Sequence, residues 1–410
     1  MVKNGTESAL NNYLDLNRGL APEEVAVREQ THRFSQEVTR PASVELDKLA
    51  DPADVIREGS IFWDVFRKGY EQGQHVSGFS EAEGGVSLST AGRHAVAEEM
   101  GWGSSDFAIG FGVAPFPFTF ANTFAALTGN QTLKGEIVEP FLKDREAKYV
   151  GCWAITEPHH GSDVWALKTK AKRDGDDWII NGQKSAWVSN GTIASHALLF
   201  LAIDRSRGQA GGGVAVVPLN LPGVTKGPPL NKLGQRALNQ GEIFFDDVRI
   251  PKHYMLVEPE AYAFTIENVL TGANAGMGAL FTGVARAAFE EALAYSKHRI
   301  QGGRPICEHQ AVQLKLFDMF VKVQAARAIS RGAMAYNTSG PPAIQYSIAS
   351  KVFCTQAAFE VSNDAIQLHG GYGLSKDMLV EKLFRDARAS MIEDGVNEVL
   401  SLSGARRLVG

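Results

Sequence analysis

Two adjacent carboxylates, Glu393 and Asp394, stand directly before Gly395 in the stretch IEDGVNEVL (392 to 400). A carboxylate withdrawn from water has a raised pKa and can take a proton from carbon, so this pair could supply a general base. Acidic residues ahead of a helical run can also simply cap its first turn, and the two residues alone leave both readings open. Elsewhere Arg299 precedes IQGGRP, and Gly370 with Gly371 follows Gln367. A guanidinium and side-chain-free backbone N–H groups both suit phosphate oxygens, although most helical arginines are merely solvated. Trp153 and Trp187 lie in strand-like surroundings, where core packing is the ordinary use of an indole. His159 and His160, side by side, make a poor metal pair and read first as polar loop residues, or else as contacts to a substrate phosphate or polar group.

The bulk of the chain narrows the classes of chemistry. Its 410 residues exceed one small core and should divide into two or three domains. A net charge of −5 gives no electrostatic reason to expect nucleic acid. No Lys/Arg-rich amphipathic stretch points to a membrane surface, and no window is expected to span a bilayer. The opening MVKNGTESALNNYLDLNRG lacks the apolar core of a secretory signal. Cys152, Cys307 and Cys354 are too few and too scattered for a disulfide framework or a zinc site, so no metal is expected. The expected compartment is the cytoplasm.

Three segments must position these side chains. Helical periodicity with Glu/Arg/Lys-rich faces runs through 21–101, and a weakly charged run at 106–128 reads as buried helix. Short β-branched runs then alternate with turn residues, Asn181 with Gly182 and Asn190 with Gly191 among them. Helical pattern returns after Pro251. The expected architecture is α+β: an N-terminal helical domain at 1–148, a middle β domain at 149–258 and a C-terminal helical bundle at 259–410.

Five strings, CWAITEPHHGSD, DDWIINGQKSAWVSNG, FFDDVRIP, YSKHRIQGGRPICEHQ and QLHGGYGLSKDMLVEKLFRDAR, occur in this order. Together they closely resemble the acyl-CoA dehydrogenase family, over the β segment and most of the C-terminal helices. The resemblance implies a helical domain, a middle β-barrel and a C-terminal four-helix bundle, in homotetramers, with FAD bound between domains and across a subunit interface. It implies α,β-desaturation of an acyl thioester, in which a base removes the α proton while the flavin takes the β hydrogen as hydride. An acyl-CoA or acyl-carrier substrate and an electron-transfer flavoprotein or similar acceptor would be the partners.

The same resemblance distributes roles. Ile155 and Thr156 would meet the isoalloxazine edge, with Trp153 near the ring and Trp187 and Ser189 close to its reactive nitrogen. Ser162, otherwise a turn serine, would lie near the flavin phosphate and the substrate arm. Arg299 would reach the FAD diphosphate of a neighbouring subunit, and Gln367, Gly370 and Gly371 its adenylate side. Carrying the last string forward places Asp394 at the base position, with Gly395 beside the substrate and Val396 where the family has a flavin-contacting threonine. The alternative base position, near residue 273, reads LTGANAG and holds no carboxylate.

Departures from the pattern shape the expectation. Asp is shorter than the usual Glu by one carbon–carbon bond, about 1.5 Å. Thr271 and Asn274 replace an acid and an arginine beside the CoA arm, which leaves Asn274 as the substrate-binding candidate there, and Gly302 replaces a phenylalanine. The departures at the base and the CoA arm point to a branched, cyclic or otherwise non-standard acyl group. Two competing readings are a nitroalkane oxidase-like flavoenzyme, disfavoured because Ser401 stands where those enzymes carry arginine, and a catalytically silent flavoprotein.

Overall fold

The computed structural model describes residues 14–339 and 341–410; the stretch read for a leader lies largely outside them. In chain order the principal helices are α1 (Pro22–Phe34), α2 (Ile61–Glu71), α3 (Thr90–Gly103), α4 (Ser105–Val113) and α5 (Phe116–Thr128). Eight strands follow: β1 (Gly151–Ala154), β2 (Lys170–Asp174), β3 (Asp177–Lys184), β4 (His196–Ala202), β5 (Gly212–Pro218), β6 (Val224–Lys226), β7 (Ile243–Pro251) and β8 (Met255–Val257). The C-terminal part holds α6 (Pro259–His298), α7 (Gln310–Ser339), α8 (Ile344–His369), α9 (Leu379–Ser390) and α10 (Asn397–Val409). The expected order of helical, β and helical regions is present.

Among the described residues, two compact units draw on separated stretches of chain: 14–41, 88–105 and 270–410 contribute to one, and 42–87 with 106–269 to the other. In the second, the strands pair in the order β6-β7-β3-β2-β4-β5-β8, with β1 parallel to β4. Residues from strands distant in that order, Val217 of β5 and Phe245 and Ile250 of β7, join Cys152, Ile180 and Leu199 in one apolar cluster. A shared interior of this kind is what a barrel-like β domain requires. Strand β4 is buried along its whole length, so both of its faces are covered, which accounts for the unbroken apolar run HALLFLA.

The run 106–128 differs from expectation. Ser105–Thr128 holds an 18-residue window of mean hydropathy 1.2, so by length and composition alone it could cross a bilayer, which the sequence reading did not anticipate. It is instead two helices, parted at Ala114 and Pro115. Pro115 has no N–H to continue a helix and restarts one instead.

The helical unit has charge at its centre. Glu98 and Glu99 of α3 are buried, and Arg327 donates to Glu98 at 2.7 Å while Arg28 donates to Glu99 at 2.7 Å. Arg286 of α6 bridges both acids. Burial alone would push the two carboxyls up, but the guanidinium groups win: Glu99 is held down at about 2 and Glu98 lower still.

Candidate functional site

The loops leaving β1 and β3 lie side by side. Ser185 N–H donates to the Thr156 carbonyl at 2.9 Å, and the Lys184 ammonium donates to the Ile155 carbonyl and to Glu157 Oε1, both at 2.9 Å. Glu157 also accepts the backbone N–H groups of Lys168 at 2.7 Å and Thr169 at 2.9 Å. Burial opposes charge on both partners, yet Lys184 and these donors keep Glu157 below its ordinary pKa, while burial lowers Lys184 to about 8. A ladder contact between Ser189 and Gln240 carries the chain onward, and the Gln240 amide donates to the Trp187 carbonyl at 3.2 Å and to the Ser189 hydroxyl at 3.3 Å.

Ile155, Thr156, Trp187 and Ser189 are therefore brought together at one edge of the sheet. Trp187 leaves 60% of its surface exposed, unusual for an indole in so well-tethered a turn. Among the described residues the Thr156 side chain has no hydrogen-bond partner. Trp153 packs between Phe116 and Phe200 as a core residue would, but its buried indole N–H also lacks a partner. Ser162 is exposed on the loop between His160 and Asp163, two residues that line a cavity of about 440 Å³ with Lys168, Arg205 and Tyr262. Both ring nitrogens of His160 and the Tyr262 hydroxyl are buried there without partners, while His159 is exposed.

In the helical unit a cavity of about 610 Å³ is lined by Arg299, Gln367, Gly370, Gly371, Tyr295 and Tyr372. Helix α8 ends where Gly370 takes φ +60° and ψ −140°, a conformation open essentially to glycine alone. Arg299 forms no ion pair among the described residues and lies 5.9 Å over the Tyr372 ring. An unpaired guanidinium beside a bare Gly-Gly backbone fits a diphosphate. The unpartnered Thr156 hydroxyl and the exposed Trp187 at the sheet edge fit the ring system of an FAD.

Asp394 sits in a sharp reversal before α10, with φ +51° followed by φ +96° at Gly395. Asp is among the few side chains that tolerate this left-handed region. The N-cap of α10 is Val396, with no side-chain cap bond, so Asp394 is not spent on capping. Its carboxyl accepts no hydrogen bond among the described residues. Asp394 is exposed on the surface of this chain, while the protein packed around the turn raises its pKa against the downward pull of Lys351. Asn274 is buried on α6, its amide donating to the Leu270 carbonyl at 2.8 Å. The Ser401 hydroxyl donates to the Asn397 carbonyl at 2.7 Å.

Sequence reasoning missed the residues that hold these groups in place: Lys184 and Glu157, Gln240, and Lys351 with Asn397 and Thr355. A signal for Lys351 was available. It lies on the stripe Ile344, Ile348, Lys351, Thr355, Ala358, where a lone lysine on an apolar helix face is out of pattern.

Comparison with known proteins finds relatives along most of the chain. Residues 152–248 match the model described as acyl-CoA dehydrogenase, middle domain, and 264–409 that described as acyl-CoA dehydrogenase, C-terminal domain. A probable acyl-CoA dehydrogenase of Bacillus subtilis is 30% identical over 401 residues, covering 96% of this chain and 100% of that one. The mitochondrial short-chain specific acyl-CoA dehydrogenase of Rattus norvegicus is 34% identical, over 68% of this chain and 67% of that protein. Among solved structures, butyryl-CoA dehydrogenase of Megasphaera elsdenii superposes with a TM-score of 0.85 at 26% identity, covering 96% of this chain and 99% of that one.

Proposed function

The chain belongs to the acyl-CoA dehydrogenase family, FAD-dependent oxidoreductases acting on CH–CH bonds, and from that premise we propose that it desaturates an acyl thioester with Asp394 as the base. The observation that carries this reading is the state of Asp394: a strained backbone, a carboxyl without hydrogen bonds and a raised pKa in one residue. A carboxylate paired by donors is too weak a base for a carbon acid, whereas a desolvated one gains proton affinity.

FAD, when bound, supplies the acceptor for the β hydrogen with its electron pair. The chain's own residues do the remaining work. Arg299, Gln367, Gly370 and Gly371 hold the diphosphate and adenylate end, in homotetramers where the cavity serves a neighbouring copy's cofactor. Ile155, Thr156, Trp153, Trp187, Ser189 and Val396 border the ring. Ser162 and Gly395 contact the substrate, and Asp394 Oδ takes the α proton and keeps it until product leaves. Asn274, whose amide is turned onto its own helix, has a buried Oδ1 without a partner among the described residues and would offer it to the substrate.

The shorter acid also bears on substrate. An aspartate reaches about 1.5 Å less far than a glutamate, which leaves room over the α carbon for a branch or ring. The reading is tested by anaerobic titration of the yellow protein with straight, branched and cyclic acyl-CoAs, following flavin bleaching. Bleaching by at least one thioester, strongest with branched or cyclic acyl groups, is the expected result. Asp394→Asn protein should retain FAD and stay oxidised, and full reduction of that variant would remove Asp394 from the role.

A further inference from the structure

The helix facing the base carries a buried lysine whose charge nothing in the fold otherwise explains. Lys351 of α8 is 0% exposed, and its ammonium donates to the Gly395 carbonyl at 2.7 Å and to Asn397 Oδ1 at 2.8 Å. No ion pair to it is present among the described residues, so the cation is satisfied by neutral oxygens. Burying an ammonium in this way costs stability that a methionine of similar length would not. The expense falls beside one residue: Gly395 follows Asp394 directly.

The contacts form a closed network. The Asn397 amide donates to Thr355 Oγ1 at 3.0 Å, and the Thr355 hydroxyl donates to the Lys351 carbonyl at 2.8 Å. The Asn397 N–H donates to the Met391 carbonyl at 3.0 Å, which closes the turn 391–397 on itself. The turn is therefore fastened at both its backbone and its following side chain to one stretch of α8. Two consecutive residues with positive φ inside it, Asp394 and Gly395, cost energy that such fastening offsets.

Charge faces charge across the same gap. The acidic groups acting on Lys351 are Asp394 first, then Glu393 and Glu398, while Lys351 is the cation acting on Asp394. Asp394 makes no hydrogen bond to it, so the influence is electrostatic and leaves the carboxyl open to substrate.

We propose that Lys351 is the positioning residue of the base: its buried ammonium holds the 391–397 turn with Asp394 in the left-handed conformation and supplies the counter-charge that keeps the carboxylate ionised before substrate binds. The inference rests on the assignment of Asp394 as base. Through this counter-charge the carboxylate, whose pKa the surrounding protein raises and Lys351 lowers, is favoured in its ionised form. Burial lowers Lys351 itself to about 8 despite the three acids, so the counter-charge fades above that pH.

The test compares the pH profile of kcat/KM for the best acyl-CoA across Lys351→Met, Lys351→Arg and Asn397→Asp holoenzymes. FAD content and hydrogen exchange of the turn amides are read in parallel. In Lys351→Met the acidic limb should move up by roughly one pH unit, the effect of losing a nearby opposite charge, and exchange at the turn should rise at least tenfold. Lys351→Arg should restore the acidic limb toward that of the unaltered protein. Should Lys351→Met fail to fold, Asn397→Asp serves: it sets a carboxylate 2.8 Å from the ammonium, cancels its field at Asp394 and should move the limb the same way. An unmoved limb in Asn397→Asp, or in folded Lys351→Met, overturns the inference. Asp394→Asn separates the two claims, because full flavin reduction there defeats the base assignment itself, whereas a silent Asp394→Asn with unmoved limbs defeats only the role of Lys351.

Discussion

Lys184 and Glu157 form a buried ion pair, Nζ to Oε1 at 2.9 Å, where β1 and β3 leave the sheet. The same ammonium holds the Ile155 carbonyl, so one side chain fixes both loops that would border the flavin ring. Removing one partner of a buried pair leaves the other charge uncompensated, which costs about 3–5 kcal/mol. Lys184→Met should therefore lower the urea midpoint markedly and give protein that loses FAD on dilution. Unchanged FAD retention would mean that the loops hold their shape without the clamp.

Asp394 is a base only as a carboxylate. Desolvation raises its folded pKa above the ordinary 3.8, against Lys351. The proton must leave before catalysis, so kcat/KM should climb as pH rises through that raised value and flatten above it. Asp394→Glu pushes the carboxyl about 1.5 Å further into the substrate space. A misplacement near 1 Å is worth roughly 100-fold in rate, and the loss should be greatest for the bulkiest acyl groups. Stopped-flow reduction with straight and branched thioesters checks this, and an equal loss on both would detach the shorter acid from substrate shape.

Much of this layout could be read in advance because the groups that touch ligands sit in exposed, glycine-marked strings with their own local chemistry. Gly370 takes a backbone conformation that essentially only glycine adopts, and with Gly371 it lines a cavity beside Arg299. The supporting residues were harder to see, because their roles depend on distant partners. Glu98 and Glu99 read as one charged helix face, and only the fold shows them buried against Arg28, Arg286 and Arg327, from helices scattered along the chain. Lys351 meets Gly395 across 44 residues, a separation that no local spacing rule covers. The break at Pro115 was legible in principle, since proline ends helices by its own covalent structure.

Arg299 offers an affinity measurement independent of turnover. Its guanidinium has no carboxylate to satisfy it among the described residues and faces the Gly370 cavity. Hydrogen bonds to charged groups contribute about 1.5–3 kcal/mol. Arg299→Ala apoprotein should then bind FAD roughly 10- to 100-fold more weakly, measured by quenching of flavin fluorescence on reconstitution. The shortened variant Arg299→Lys should recover only part of that, because an ammonium cannot pair two oxygens in a plane. Wild-type affinity in the alanine variant would exclude the diphosphate as its ligand.

Stability should respond to acid in a window set by histidines rather than by the buried glutamates. Burial lowers His75, His94 and His196 each to about 4, from the ordinary 6.5 of a histidine. His75 lies flat on Tyr70 with ring centroids 4.0 Å apart, and His196 packs on Phe118, so neither can take a proton without desolvating a charge. Between pH 6.5 and 4 the unfolded chain binds protons that the folded chain refuses. Their contribution is therefore complete above 6.5 and is lost as pH falls toward 4, at about 1.4 kcal/mol per pH unit for each linked histidine. Glu98 and Glu99, held low by their arginines, lose their contribution only as pH drops below the unfolded value of 4.5. Urea midpoints taken at pH 7.5, 6 and 5 should fall across this range, and His196→Gln should reduce the slope by roughly one histidine's share. An identical slope in that variant would mean that His196 is protonated equally in both states, which its burial against Phe118 argues against.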